Sequence, residues 1–159
     1  MNTTRFLATV ALIAGIAGAA SAQTATQSVT FQVDAINQIA FSGSPSLVIN
    51  TATAGSAPTS ASASATWAVT TNQTAAKITA SIGSAMPTGL TLQVNLSAPS
   101  GATSAGAQTL SATAVDVVTS ITKLAQTAIA VNYSLAATAA AGVVSSTSRT
   151  VTYTITGGT

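Results

Sequence analysis

An alternation of period two runs through most of this chain and limits what it can fold into. It is plainest near the end, where Val151, Tyr153 and Ile155 are separated by Thr150, Thr152, Thr154 and Thr156. Successive side chains of a β-strand point to opposite faces, so such a stretch folds as a strand with one apolar and one wet face. The same pattern recurs at Val29, Phe31 and Val33, at Leu47 and Ile49, and at Ala61, Ala63, Ala65, Trp67 and Val69. It returns at Ile78, Ala80 and Ile82, at Leu90, Leu92, Val94 and Leu96, and at Ile129, Val131, Tyr133 and Leu135. Proline-bearing turns punctuate these runs at "SGSPS" (42–46), "APTS" (57–60), "MPTG" (86–89) and "APSG" (98–101). In the last three, proline presets φ for a type I turn. Their irregular spacing excludes a solenoid. Short strands broken by turns predict an all-β fold, a two-sheet antiparallel sandwich of about seven to nine strands.

Two stretches are less clear. "TAVDVVTSITKL" (113–124) fits a strand through Val115, Val117 and Ile121, while Val117, Ile121 and Leu124 would also share one helix face. Its β-branched content favours the strand. Residues 134–148 leave the alternation after Leu135 and read as a long connection with room for one helical turn in the alanine run.

Residues 1–22 stand apart. Arg5, an apolar run from Phe6 to Ala20 and the small residues Ala20, Ser21 and Ala22 form the pattern of a cleaved signal peptide. The run is shorter than the ~20 apolar residues of a spanning helix, so we expect export rather than a membrane anchor, with residues 23–159 folding as a single domain. The expected location is secreted: the cell surface, the extracellular space or the periplasm.

Charge decides which functions remain. The chain has 4 Lys and Arg, 2 Asp and Glu, and neither His nor Cys, against the ~25% charged residues of ordinary domains. After residue 22 these are Asp34, Lys77, Asp116, Lys123 and Arg149. Three scattered cations do not make a nucleic-acid surface. Without His or Cys, zinc and copper lose their usual ligands, and no Asp-rich loop offers calcium a cage, so neither metal nor cofactor is expected. Asp34 and Asp116 fall on different predicted strands, and alternation gives no reason for them to meet as an acid-base pair. "SITK" (120–123) matches Ser-x-x-Lys but lacks the companion motifs of serine enzymes, and "GATSAG" (101–106) lacks the Lys of a phosphate loop. We therefore expect no enzymatic activity. With so few titratable groups, folding should respond weakly to pH and salt.

Trp67, the one tryptophan, shares its face with small residues and is expected in the core. Asn72, Asn95 and Asn132 lie in Asn-x-Ser/Thr sequences, the last two inside predicted strands.

"AAAGVVSSTSRTVTYTITGGT" (139–159) resembles the C-terminal strand of secreted immunoglobulin-like β-sandwich surface subunits of the pilin and spore coat protein U type, and "ATWAVTTNQTAAKITASI" (65–82) is similar to their paired mid-domain strands. The resemblance implies an immunoglobulin-like sandwich and a structural role without catalytic residues. The chain departs from many such pilins in having no cysteine, and in ending on Gly157, Gly158 and Thr159 rather than near an aromatic residue.

The expected function is a structural subunit of a cell-surface filament, coat or extracellular matrix. It would form a homopolymer by strand addition, main-chain hydrogen bonds giving strength and alternate side chains filling pockets. The candidate donor is residues 23–35, with Val29, Phe31 and Val33 as plugs. Val151, Tyr153 and Ile155 would line the acceptor. Residues 28–34 could equally be the first strand of their own domain. The alternative function is a monomeric binding or adhesion module, its loops 51–60 or 98–108 meeting a glycan or surface partner.

Overall fold

A computed structural model of the chain describes residues 21–158. The expected signal peptide, apart from its last two residues, lies outside them. The chain divides into Met1–Gln32 and a compact unit, Val33–Thr159. Of the first unit, residues 21–32 carry no strand. The second is all-β, with a single 3-10 turn at Ala139–Ala141. No helix among the described residues is long and apolar enough to cross a membrane.

The strands are β1 (Asn37–Ser42), β2 (Ala61–Thr71), β3 (Ala76–Ile82), β4 (Leu90–Leu96), β5 (Thr103–Ser104), β6 (Gln108–Thr109), β7 (Val115–Ile121), β8 (Leu124–Ala137) and β9 (Val151–Thr156). They form two antiparallel sheets in the orders β1-β2-β8-β4-β6 and β5-β7-β3-β9. This is a β-sandwich, and its core is the set of inward positions that alternation marks. Trp67 and Val69 of β2, Val94 and Leu96 of β4, and Ile129 and Val131 of β8 face Ile78 and Ile82 of β3 and Val117 and Ile121 of β7 in one buried cluster. Fully burying each such side chain contributes about 1.5–3 kcal/mol relative to exposure.

β-Bulges interrupt the alternation in β8 and in β7. Trp67 pairs with Ile129 but Val69 pairs with Gln126, so β8 carries one extra residue, and Ala128 there has φ +56°. Along β7, Ala76, Ile78 and Thr79 of β3 pair with Ile121, Val118 and Asp116, which places an extra residue in β7 at each step. Val117 and Val118 are consequently both buried. An extra residue breaks strict period two, and it gives 113–124 its partly helical spacing. The segment is nonetheless a strand.

Three expectations need correction. Residues 28–34 are not the first strand, which is Asn37–Ser42. Leu47 and Ile49 carry no strand either; they lie in the connection 43–60, whose pairing is a lone bridge between Ala52 and Pro58. Pro87 and Pro99 sit at the first turn position rather than the second, since their carbonyls accept from Leu90 and Ala102 at 3.1 and 3.0 Å. The following glycines, Gly89 and Gly101, have φ of +81° and +76°, which a type II turn requires at its third position.

Gly158 is a steric requirement. A Cβ on Gly158 would run into the backbone carbonyl of Thr74 in the β2–β3 connection. Gly158→Ala should therefore cost about 1–3 kcal/mol, measured as a lower urea midpoint by Trp67 fluorescence. Gly83→Ala, where an added Cβ meets nothing within 4 Å, should change stability by less than about 0.5 kcal/mol.

Candidate functional site

The two flanks of the sandwich differ. On one, the connection from β4 to β7 contributes to both sheets. β5 pairs with Val118 and Thr119 of β7, and β6 pairs with Gln93 and Val94 of β4. Ser104 Oγ donates to the Leu96 carbonyl at 2.6 Å, the Ala105 N–H to the Val117 carbonyl at 3.0 Å, and the Leu110 N–H to the Leu92 carbonyl at 2.9 Å. This flank is stitched shut. The glycine-bounded segment 101–106 belongs to that suture.

On the other flank both sheets end in a full-length strand. β1 pairs only with β2 and β9 only with β3, and no strand among the described residues takes up their outer edges. An uncovered edge presents unpaired N–H and C=O groups to any extended segment of suitable pattern. Between these edges lies a cleft of about 1260 Å³. Ile39 and Phe41 form its β1 wall, Val151 and Tyr153 its β9 wall, and Leu92 and Leu135 its floor. Leu47 and Ile49, strand-patterned but unladdered, also line it.

The walls meet at one level through aromatic side chains. Phe41 stacks on Tyr153 with ring centroids 3.9 Å apart and planes 16° apart, and Trp67 lies beyond Phe41 at 6.1 Å. The Tyr153 hydroxyl is 2.8 Å from that of Tyr133 on β8, so one hydrogen bond spans the two sheets. Burial, then that bond and the nearby Tyr133 oxygen, push the Tyr153 hydroxyl well above the ordinary tyrosine range. A phenol held protonated in the fold contributes stability that is complete below the unfolded value of about 10 and is lost as pH rises beyond it. Urea midpoints should accordingly fall above about pH 10, and Tyr153→Phe should remove that part of the fall.

Of the residues expected in the acceptor, Val151 and Tyr153 line the cleft, while Ile155 is half-buried against the core. Val29, Phe31 and Val33 are 76%, 90% and 77% exposed and carry no strand. The remaining chemical candidates are scattered. Asp116 pairs with Lys77 at 3.1 Å on the surface, and Asp34 precedes β1. Ser120 and Lys123 are exposed beside the turn from β7 to β8. Asn95 and Asn132 oppose each other on the outer face of β4 and β8. Sequence reasoning missed Ile39 and Phe41, although their i, i+2 spacing in "NQIAFS" carried the signal.

The site is thus a cleft with apolar walls and a polar rim between two free strand edges in an all-β sandwich. Comparison of the chain with protein-family models, with curated proteins and with solved structures gave no match.

Proposed function

We propose that the protein is a secreted, non-enzymatic structural subunit of a filament, coat or matrix, built by strand addition between copies. In this reading the sandwich is immunoglobulin-like, of the pilin and spore coat protein U type, and the cleft accepts residues 23–35 of a neighbour. The observation that carries it is a match within one chain. The cleft lies between free strand edges, with apolar side chains of β1, β4, β8 and β9 on its walls and floor and the connections 45–52 and 138–149, which add Ser, Thr, Asn and Arg, on its rim. Val29, Phe31 and Val33 form an alternating apolar row that is exposed and without a ladder. Inserted beside β9, such a segment would pair its main chain with the edge and turn every second side chain into the cleft. The apolar part of the lining, Ile39, Phe41, Leu92, Leu135 and Val151, suits those side chains.

Negative-stain electron microscopy and size-exclusion chromatography test the reading, comparing the chain with a variant lacking residues 23–34. Linear polymers or strand-linked oligomers that vanish in the variant are expected. A monodisperse monomer at high concentration, equally stable when shortened, would overturn it.

A further inference from the structure

Residues 34–36, just ahead of β1, are gripped by one side chain. Asn72, the residue after β2, donates from Nδ2 to the Asp34 carbonyl at 2.7 Å and accepts the Ile36 N–H at Oδ1 at 2.8 Å. Its own backbone N–H donates to the Ile36 carbonyl at 3.3 Å. A primary amide offers donor and acceptor side by side, as the N–H and C=O of one extended residue in a neighbouring strand do. It can take the C=O of residue i and the N–H of residue i+2 together when the residue between is extended, as along a parallel strand pair. In a tight three-residue reversal those two groups bond to each other instead. The clasp therefore holds Ala35 extended. It is braced from below: Thr71 Oγ1 donates to Asn37 Oδ1 at 2.7 Å, Asn37 Nδ2 to Gln73 Oε1 at 3.2 Å, and the Lys123 N–H to the Gln73 carbonyl at 2.9 Å.

We propose that Asn72 is a positioning residue that commits the plug segment to a second copy of the chain. The inference rests on the strand-addition reading and adds what disfavours self-closure. The last plug is Val33, β1 begins at Asn37, and the first β1 residue to line the cleft is Ile39. For the plugs to enter their own cleft, the backbone must reverse within residues 34–36, the stretch the clasp keeps straight. A segment arriving from another copy meets no such constraint. Asn72 thereby raises the cost of self-closure without touching the cleft.

The test compares the chain with Asn72→Ala, and each of these with added Phe31→Asp, by light scattering over a concentration series and by urea unfolding followed through Trp67. Two lost side-chain hydrogen bonds should raise the monomer fraction roughly tenfold. That monomer should be concentration-independent and more urea-resistant than the wild-type monomer, and Phe31→Asp should erase the added resistance. If Asn72→Ala polymerises like the wild type, or its monomer is indifferent to Phe31→Asp, the clasp does not direct the strand and the inference falls while assembly stands. If the wild type is monomeric throughout and Phe31→Asp changes nothing, strand addition itself falls. Should Asn72→Ala fail to fold, Asn72→Asp, which keeps the acceptor for Ile36 and loses the donor to Asp34, carries the same comparison.

Discussion

Phe31→Asp should abolish assembly and leave the sandwich intact. The side chain is 90% exposed and lies in a stretch without a strand, so the subunit's own core does not depend on it. Under strand addition its contribution arises only when it enters a neighbour's cleft. Burying a phenylalanine there contributes about 1.5–3 kcal/mol, so losing it alone weakens association by about ten- to a hundredfold. An aspartate must also shed its hydration in an apolar cleft, which adds several kcal/mol and takes the total beyond about a thousandfold. Sedimentation should show a monomer at concentrations where the wild type polymerises. The urea midpoint of that monomer should match the wild-type monomer to within about 0.5 kcal/mol. Phe31→Leu, which keeps an apolar plug, should assemble with an intermediate affinity.

Trp67→Ala should have the largest effect on folding. Trp67 is 1% exposed and stands where β2 and β8 change register, next to Phe41 at the cleft wall. Truncating a buried tryptophan costs about 3–5 kcal/mol, against a total stability of about 5–15 kcal/mol for a domain. Urea unfolding followed by far-UV circular dichroism should show it, with the variant partly unfolded in water if the parent lies at the low end. Trp67→Phe should be much milder, because Trp67 Nε1 is buried with no hydrogen-bond partner among the described residues and phenylalanine has no such group to leave unmet. Assembly should decline in parallel with stability in both variants, which separates them from Phe31→Asp.

The alternating runs that became β2, β3, β4, β8 and β9 could be read directly, because each has a wet face of Ser, Thr, Asn and Gln against a face of larger apolar residues. β1 escaped for a physical reason. Only Ile39 and Phe41 mark its inner face, and the turn residues Ser42 to Pro45 follow at once. Val29, Phe31 and Val33 have the cleaner local pattern yet no strand. Alternation says that a segment can pair; whether a partner edge is available depends on residues far away in the chain. The same holds for Leu47 and Ile49, which line the cleft without joining a ladder. Val151 and Tyr153 were identifiable as inward-facing, but the cleft was not, since it arises from two edge strands in different sheets meeting on one flank. The Asn72 clasp left no trace in periodicity. Its sequence context advertised only an Asn-x-Thr site.

The suture formed by β5 and β6 bears on the shape of whatever the subunit builds. By pairing with the middle of the β4 and β7 edges it leaves the β1–β9 flank as the open one among the described residues, and in the strand-addition reading those residues supply one plug segment. A unit with a single socket and a single tenon joins end to end. Under strand addition the product is an unbranched thread with a direction, every member oriented alike, rather than a network or a sheet.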